Sequence, residues 1–212
     1  MKKLKQFIMS ASDMLNMIQH YGILGLIKLI FDKFITFFIF KNARIIRRPF
    51  DVRGKKKMSI GPGLTTGRYC RLEAHGVDDQ YSLVIGRDCQ INDSVHIAAA
   101  ESVKLGDNVL IASRVFITDL NHGVYKGDLQ SHPDIICNER TLHTNPVDIG
   151  SNVWLGEGVV VLPGVSIGSS SIIGANSVVT RSIPANSIAV GNPAKIIKHF
   201  DFNLNKWVSV ND

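Results

Sequence analysis

The feature that most constrains this 212-residue sequence is a six-residue period that ends at residue 179. Aliphatic residues recur at this spacing in three uninterrupted groups: Ile85, Ile91 and Ile97; Leu105, Ile111 and Ile117; and Ile149, Leu155, Val161, Ile167, Ile173 and Val179. An α-helix has a period of 3.6 residues and a half-buried strand has a period of 2, so neither explains the pattern. An internal repeat of six residues is therefore predicted.

A solenoid with three flat faces would account for this period. Each hexapeptide would form one face, and its aliphatic residue would fill a narrow triangular interior. Glycine often follows the aliphatic residue, as in Ile85-Gly86 and Ile149-Gly150, and we expect glycine and asparagine to suit the sharp corners. Stacked coils would pair their backbones as parallel sheets. The sequence thus predicts an all-β fold, a parallel β-helix of about five coils over residues 59–184.

Two interruptions break the period. The step from Ile97 to Leu105 is eight, which indicates a two-residue insertion. The step from Ile117 to Ile149 is 32, so a long loop, residues 123–148, is expected to leave the coil. Loops of this length inside a compact repeat are usually functional or disordered. Because His122 stands at the start of this loop, we expect it to carry function.

The segments outside the repeat divide the chain into a helical part at 1–48, the β-helix domain at 49–200 and a tail at 201–212. Residues 21–40 have about the length of a membrane span, but Lys28, Asp32 and Lys33 interrupt them and can share one side of a helix. Two interpretations remain open: a helix lying on the cytoplasmic membrane surface, or a helix packed on the domain or on a neighbouring subunit.

Three runs of the sequence are distinctive: QINDSVHIAAAESVKLGDNVLIASRVFITDLNHGVY (90–125), VDIGSNVWLGEGVVVLPGVSIG (147–168) and IIGANSVVTRSIPANSIAVGNPAKIIK (172–198). Together they resemble hexapeptide-repeat sugar O-acetyltransferases, above all those that act on O-antigen and capsule polysaccharides. This resemblance implies a left-handed coil, a homotrimer, acetyl-CoA as donor and a sugar or oligosaccharide as acceptor. It implies no metal ion.

The resemblance assigns His122 as the general base. Acetyl transfer to an alcohol requires a group that accepts the hydroxyl proton, and a neutral imidazole can do so near neutral pH. Asn92 matches a family asparagine that helps to hold the acceptor, and Asp93 beside it and His143 in the loop are further candidates for substrate contact. The family often has a second charged residue or histidine where this chain has Leu120, which leaves Asp119 as the nearest candidate to orient His122.

The donor site is likewise implied by resemblance. Residues that match positions along the pantetheine arm are Gly156, Ala175, Thr180 and Arg181, and those that match phosphate-binding positions are Lys195 and Lys198. Small residues let a ligand approach the backbone, and cations form charge-assisted bonds with phosphate. Trp154 is expected to face outward, either in the slot that holds sugar and pantetheine or in subunit packing.

Composition is consistent with a cytoplasmic protein that binds an anion. The formal charge is +6, with the basic excess near both ends, which favours CoA phosphates or a membrane surface as partner. The sequence has no basic stripe interleaved with stacking aromatic residues, so it does not indicate nucleic acid as a partner. The three cysteines follow no regular spacing, which favours a reducing compartment, and Cys89 lies within the repeat, where buried packing is expected.

Three alternative functions remain open. The acceptor could be an amine of an amino-sugar nucleotide, because sequence separates O- from N-transfer poorly. A non-catalytic β-helix scaffold would be expected to lack the long loop. A zinc-dependent carbonic anhydrase of this fold would need three histidines around the metal, and the spacing of His75, His96 and His122 does not favour it.

Overall fold

The computed structural model describes residues 11–76 and 80–210. Three sheets of parallel strands enclose a continuous apolar interior, and we call them the first, second and third walls. The first wall contains β1 (Ile45–Ile46), β4 (Thr65–Thr66), β7 (Gln90–Ile91), β10 (Leu110–Ile111), β15 (Trp154–Leu155), β18 (Ile172–Ile173) and β20 (Ser187–Val190), followed by antiparallel β21 (Lys195–Asp201) and β22 (Lys206–Ser209). The second wall contains β2 (Phe50–Arg53), β5 (Cys70–Ala74), β8 (His96–Ala99), β11 (Phe116–Thr118), β16 (Val160–Val161) and β19 (Val178–Val179). The third wall contains β3 (Met58–Ile60), β6 (Leu83–Ile85), β9 (Val103–Leu105), β14 (Val147–Ile149) and β17 (Ser166–Ile167).

The aliphatic ladder fills the interior as predicted. All twelve of its residues between Ile85 and Val179 are at most 2% exposed. Cys89 is also fully buried, and burial raises the pKa of its thiol, which confirms a packing role. The chain is therefore a parallel β-helix, and its coil is left-handed.

The solenoid begins two strands earlier than predicted. The strands β1 and β2 precede residue 59 and form the first coil together with β3, and six coils in all follow one another up to Ile183, which bridges to Ile167. The boundary placed at residue 48 therefore falls inside the first coil. The hexapeptide pattern does not reveal this coil, because Ile46 is followed by Arg47 and Arg48 instead of glycine.

Corners use glycine and asparagine for different reasons. Asn108 adopts a left-handed conformation with φ of 57°, as expected for a sharp bend. Gly106, which follows the ladder residue Leu105, is required by stacking: a Cβ there would lie 2.6 Å from the backbone nitrogen of Ser151 in the next coil. Glycine after the ladder residue thus allows close approach of coils rather than unusual backbone angles at this corner.

The helix α1 (Ala11–Ile39), broken at Gly22 by a φ of 68°, covers the open edge of the first coil. The Thr36 hydroxyl accepts a hydrogen bond from the Ile46 backbone N–H at 2.9 Å, and the Asp32 carboxylate accepts one from the Arg48 N–H at 3.1 Å. Asp32 is 2% exposed and pairs with the Arg68 guanidinium at 3.0 Å. Asp32 therefore does not share an outer face with Lys28 and Lys33, and this side of α1 is packed on the domain.

No helix in the part of the chain that the structure describes has the length and apolarity needed to traverse a bilayer.

The last coil is closed by an antiparallel reversal. β21 pairs with β20, and β22 pairs with β21, so the segment expected to be a tail from 201 onward is ordered through Val210. The rings of Phe200 and Trp207 meet edge to face, with centroids 5.4 Å apart. This hairpin ends the stack of parallel strands.

We predict that truncating a ladder residue costs far more stability than truncating an outer-face residue. Replacing Ile111, which is fully buried, with alanine should lower the free energy of unfolding by about 2–5 kcal/mol, because a cavity remains in the narrow interior. Lys104→Ala, on the exposed face of the third wall, is the control. Equal urea midpoints for the two variants would contradict the role given to the ladder.

We further predict that Asp32→Ala destabilises the protein by roughly 1–3 kcal/mol, because it removes the carboxylate that accepts hydrogen bonds from the partly exposed Arg68 guanidinium and from the Arg48 N–H. Asp32→Asn keeps a hydrogen-bond acceptor and should cost less. Urea unfolding followed by circular dichroism measures both. A stability loss no larger for alanine than for asparagine would show that the packing of α1 on the first coil does not depend on the Asp32 carboxylate.

Candidate active site

His122 lies where the chain leaves the solenoid between the second and third walls. Instead of turning into the third wall after β11, the chain forms a hairpin of β12 (Leu120–His122) and β13 (Leu142–Thr144). His122 is the last residue of β12, is exposed, and is paired with Leu142. The excursion therefore begins at Leu120 and ends before Val147, with His122 at its root; the expected bounds of 123–148 are wrong at the C-terminal end, because Val147 and Asp148 belong to β14 of the third wall.

Contacts within the loop fix the backbone of His122. The Tyr125 hydroxyl donates a hydrogen bond to the His122 carbonyl, and the Arg140 guanidinium donates to the Tyr125 hydroxyl at 2.8 Å. Arg140 also bonds the carbonyls of Pro133 and Ile135 at 2.9 and 3.0 Å. The His122 side chain is exposed, and no hydrogen bond to its ring comes from the residues that the structure describes.

The role expected for Asp119 is wrong. Its side chain is 0% exposed, and its carboxylate accepts hydrogen bonds from the backbone N–H groups of Ala100, Glu101 and Ser102 at 2.8, 2.8 and 2.7 Å. These three residues form the turn between β8 and β9, which contains the two-residue insertion between Ile97 and Leu105. Asp119 therefore holds that insertion in place and cannot contact substrate.

His143 does not share a surface with His122 within one chain. It is paired with Asn121 across the hairpin, one position away from the pair of His122 and Leu142. Because neighbouring residues of a strand point to opposite faces, the two imidazoles lie on opposite sides of the hairpin. The contact with substrate expected for His143 therefore does not lie on the face of the hairpin that carries His122 in the same chain.

Asn92 and Asp93 lie at the first corner, the set of turns that link first-wall strands to second-wall strands. Both are exposed, and Asp93 accepts a hydrogen bond from the Arg68 backbone N–H at 2.6 Å. As expected, they lie one coil below the level of His122. His122, however, is at the second corner, between the second and third walls. The width of a wall, about six extended residues or ~20 Å, separates the two positions in one chain.

A cavity of about 430 Å³ opens between α1 and the first corner. Its lining residues are Tyr21, Gly25, Lys28, Leu29, Arg47, Gly67, Arg68, Asn92, Asp93 and Ser113. An amide, a carboxylate and cationic groups beside Leu29 suit a polar ligand with several hydroxyls. Sequence reasoning missed the residues of α1 here, because no pattern in the repeat indicates which corner the helix covers.

The remaining candidates divide between the two corners. Gly156 and Ala175 lie at the first corner, above Asn92, and a Cβ on Gly156 would lie 2.6 Å from the Ala175 backbone nitrogen. Thr180 and Arg181 follow β19 and lie at the second corner, two coils above His122. Trp154 faces outward as expected, 48% exposed, two residues before Gly156.

Lys195 and Lys198 lie at the far end of the first wall. Lys195 pairs with Val190 and Lys198 with Ile188, and a bulge between Ile188 and Ala189 brings both lysines to the outer face. Four strand spacings, or ~19 Å, separate β21 from the coil that carries His122.

Comparison with known proteins adds independent observations. The model for bacterial transferase hexapeptide (six repeats) matches residues 146–181. The chain is 44% identical over 194 residues to a candidate lipopolysaccharide biosynthesis O-acetyl transferase, WbbJ, of Escherichia coli (strain K12), covering 91% of this chain and 97% of that protein. It is 38% identical over 117 residues to the galactoside O-acetyltransferase of the same strain, covering 55% of this chain and 54% of that protein.

Solved structures agree on the fold. A maltose O-acetyltransferase from Clostridium difficile 630 has a TM-score of 0.51 at 28% identity, covering 76% of this chain and 72% of that chain. A mutant of AntD, an N-acyltransferase from Bacillus cereus, in complex with dTDP-4-amino-4,6-dideoxyglucose and coenzyme A, has a TM-score of 0.63 at 22% identity, covering 77% and 83%. The second likeness concerns the fold alone.

Proposed function

The chain belongs to the bacterial hexapeptide-repeat transferases and is an acetyltransferase, and from that premise we propose that it transfers the acetyl group of acetyl-CoA to a sugar hydroxyl. The acceptor is a surface polysaccharide, O-antigen or capsule, or its precursor. The observation that carries this proposal is the exposed imidazole of His122 at the root of a hairpin whose backbone is held by Tyr125 and Arg140.

The reaction proceeds in one ternary complex. A ring nitrogen of His122 accepts the proton of the sugar hydroxyl while its oxygen attacks the thioester carbonyl. The carbon–sulfur bond then breaks, and the imidazolium returns the proton to the thiolate of CoA. This transfer involves no acyl-enzyme and no metal ion. Because acetyl-CoA is a cytoplasmic metabolite, we assign the enzyme to the cytoplasm.

The site is shared between neighbouring chains of a homotrimer. Acceptor residues Asn92 and Asp93 are at one corner and His122 is at the other, too far apart to act on one sugar in a single chain. In a cyclic assembly, the first corner of one chain can meet the second corner of the next. In the groove between them, Asn92 of one chain would face His122 of the next chain from one coil below, a height difference of about 5 Å.

The same groove accounts for the donor residues. Above the acceptor level, Gly156 and Ala175 lie on one side of the groove, and Thr180 and Arg181 lie on the other. Small side chains there leave backbone amides open to the pantetheine arm. Lys195 and Lys198 at the end of the first wall meet the nucleotide phosphates. Trp154 stands beside the first corner and closes the slot.

O-transfer is favoured over N-transfer by the relatives. Both the galactoside enzyme and WbbJ are named as O-acetyl transferases, and both share more than a third of their aligned residues with this chain. AntD acts on nitrogen, but its 22% identity supports only a shared fold. A screen of thiol release with hydroxyl and amine acceptors distinguishes the two reactions.

We predict that His122→Ala lowers kcat by ~10²-fold or more, because the hydroxyl loses its base. Thiol release from acetyl-CoA across a panel of glycan acceptors measures the effect, and equilibrium dialysis with CoA checks that donor binding is retained. His143→Ala is the matched control, since that imidazole lies on the other face of the hairpin. Near-parental kcat in His122→Ala would reject the assignment of the base.

We also predict that two defective variants complement each other. Asn92→Ala should weaken acceptor binding, and His122→Ala should abolish proton transfer. When equal amounts of the two variants are refolded together, the mixture should regain about a quarter of the parental activity. The reason is that a quarter of the shared sites combine an intact Asn92 from one chain with an intact His122 from the next. Activity equal to the average of the separate variants would place both residues in one chain's site. The assay uses acceptor below its KM.

A further inference from the structure

The side of α1 that faces away from the solenoid carries a continuous apolar stripe. Its residues are exposed and large: Ile23, Leu24, Ile27, Ile30, Phe31, Phe34, Phe37 and Phe38. At 100° per residue they fall within about 140° of the helix circumference and extend along ~22 Å of its length. Stripes of this size are rare on soluble monomers and mark a surface that binds a partner.

Cations border the stripe, and from Met14 to Ile39 the helix has no exposed acidic residue. Lys28 and Lys33 are exposed and lie on opposite edges of the stripe, each about 40° beyond its last apolar residue. Between Met14 and Phe40 the only carboxylate is Asp32, which is buried against Arg48 and Arg68. The helix therefore presents apolar side chains flanked by positive charge on both sides.

This asymmetry continues beyond the helix. Residues 1–57 contain 13 of the 24 lysines and arginines of the chain but only three of its 18 acidic residues. Lys41, Lys55 and Lys56 are exposed near the C-terminal end of α1, and the Lys55 ammonium lies 4.7 Å from the centre of the Phe40 ring. The charge of this end of the molecule is thus complementary to an anionic surface.

We propose that α1 lies in the plane of a membrane that contains anionic phospholipids, with its stripe among the acyl chains. The aliphatic stems of Lys28 and Lys33 can extend along the helix so that their ammonium groups reach the headgroups on either side. A symmetric pairing of two such helices would bring the positively charged edges of their stripes together, which disfavours a second copy as the occupant. The proposal does not depend on the reaction that the enzyme catalyses.

Binding of the full chain to extruded vesicles tests the proposal. We expect co-sedimentation with vesicles of phosphatidylglycerol and phosphatidylcholine, weaker binding to phosphatidylcholine alone, and partial release by salt. The double substitution Phe31→Ser with Phe34→Ser should lower the partition coefficient about tenfold or more. Lys28→Gln with Lys33→Gln should lower it by a similar factor on the anionic vesicles only.

The matched control is Phe202→Ser, which removes a phenylalanine that is even more exposed than Phe31 and Phe34 from the turn between β21 and β22 and should leave binding unchanged. Thermal melts confirm that each variant is folded, and light scattering reports its oligomeric state. Absence of vesicle binding by the parent chain overturns the proposal. So does a smaller assembly of the Phe31→Ser, Phe34→Ser variant with unchanged vesicle binding, because the stripe would then be an interface between chains.

Discussion

The structure depends on how narrow its interior is. The parallel strands of the three walls are two to five residues long, too short to fix their register by hydrogen bonds alone. Register is set instead by the column of Ile, Leu and Val side chains, each of which must fit between the residues of the coils above and below. Because every coil repeats the same contacts, each corner recurs at a fixed place on the outside, and functional residues at corners form vertical rows.

The helix α1 performs several tasks with its different faces. Its inner face supplies Thr36 and Asp32 to the open edge of the first coil, in place of the backbone groups of a preceding coil. Tyr21 and Lys28 on its flank help to line the cavity beside Asn92. One element thus links the stability of the solenoid to the shape of the candidate acceptor site, so changes in the helix should affect both.

The ladder could be read from the sequence because solenoid packing is local and repetitive. Counting hexapeptides in threes would also have placed Asn92 and His122 at different corners, since Asn92 follows a first-wall strand and His122 follows a second-wall strand. The role of Asp119 could not be predicted, because its three N–H partners depend on how the inserted residues near Ala100 fold back. The first coil was concealed because the helix, rather than the repeat, completes its contacts.

The ends of the solenoid determine a further property of the molecule. A stack of parallel coils has two open faces, and either could accept coils from another molecule and so polymerise end to end. Here side chains of α1 accept hydrogen bonds from backbone N–H groups at the open edge of the first coil. At the opposite end, the reversal into β21 and β22 interrupts the parallel pairing. The number of coils per molecule is therefore finite because its two ends differ from its repeat, while the repeat itself would tolerate indefinite growth.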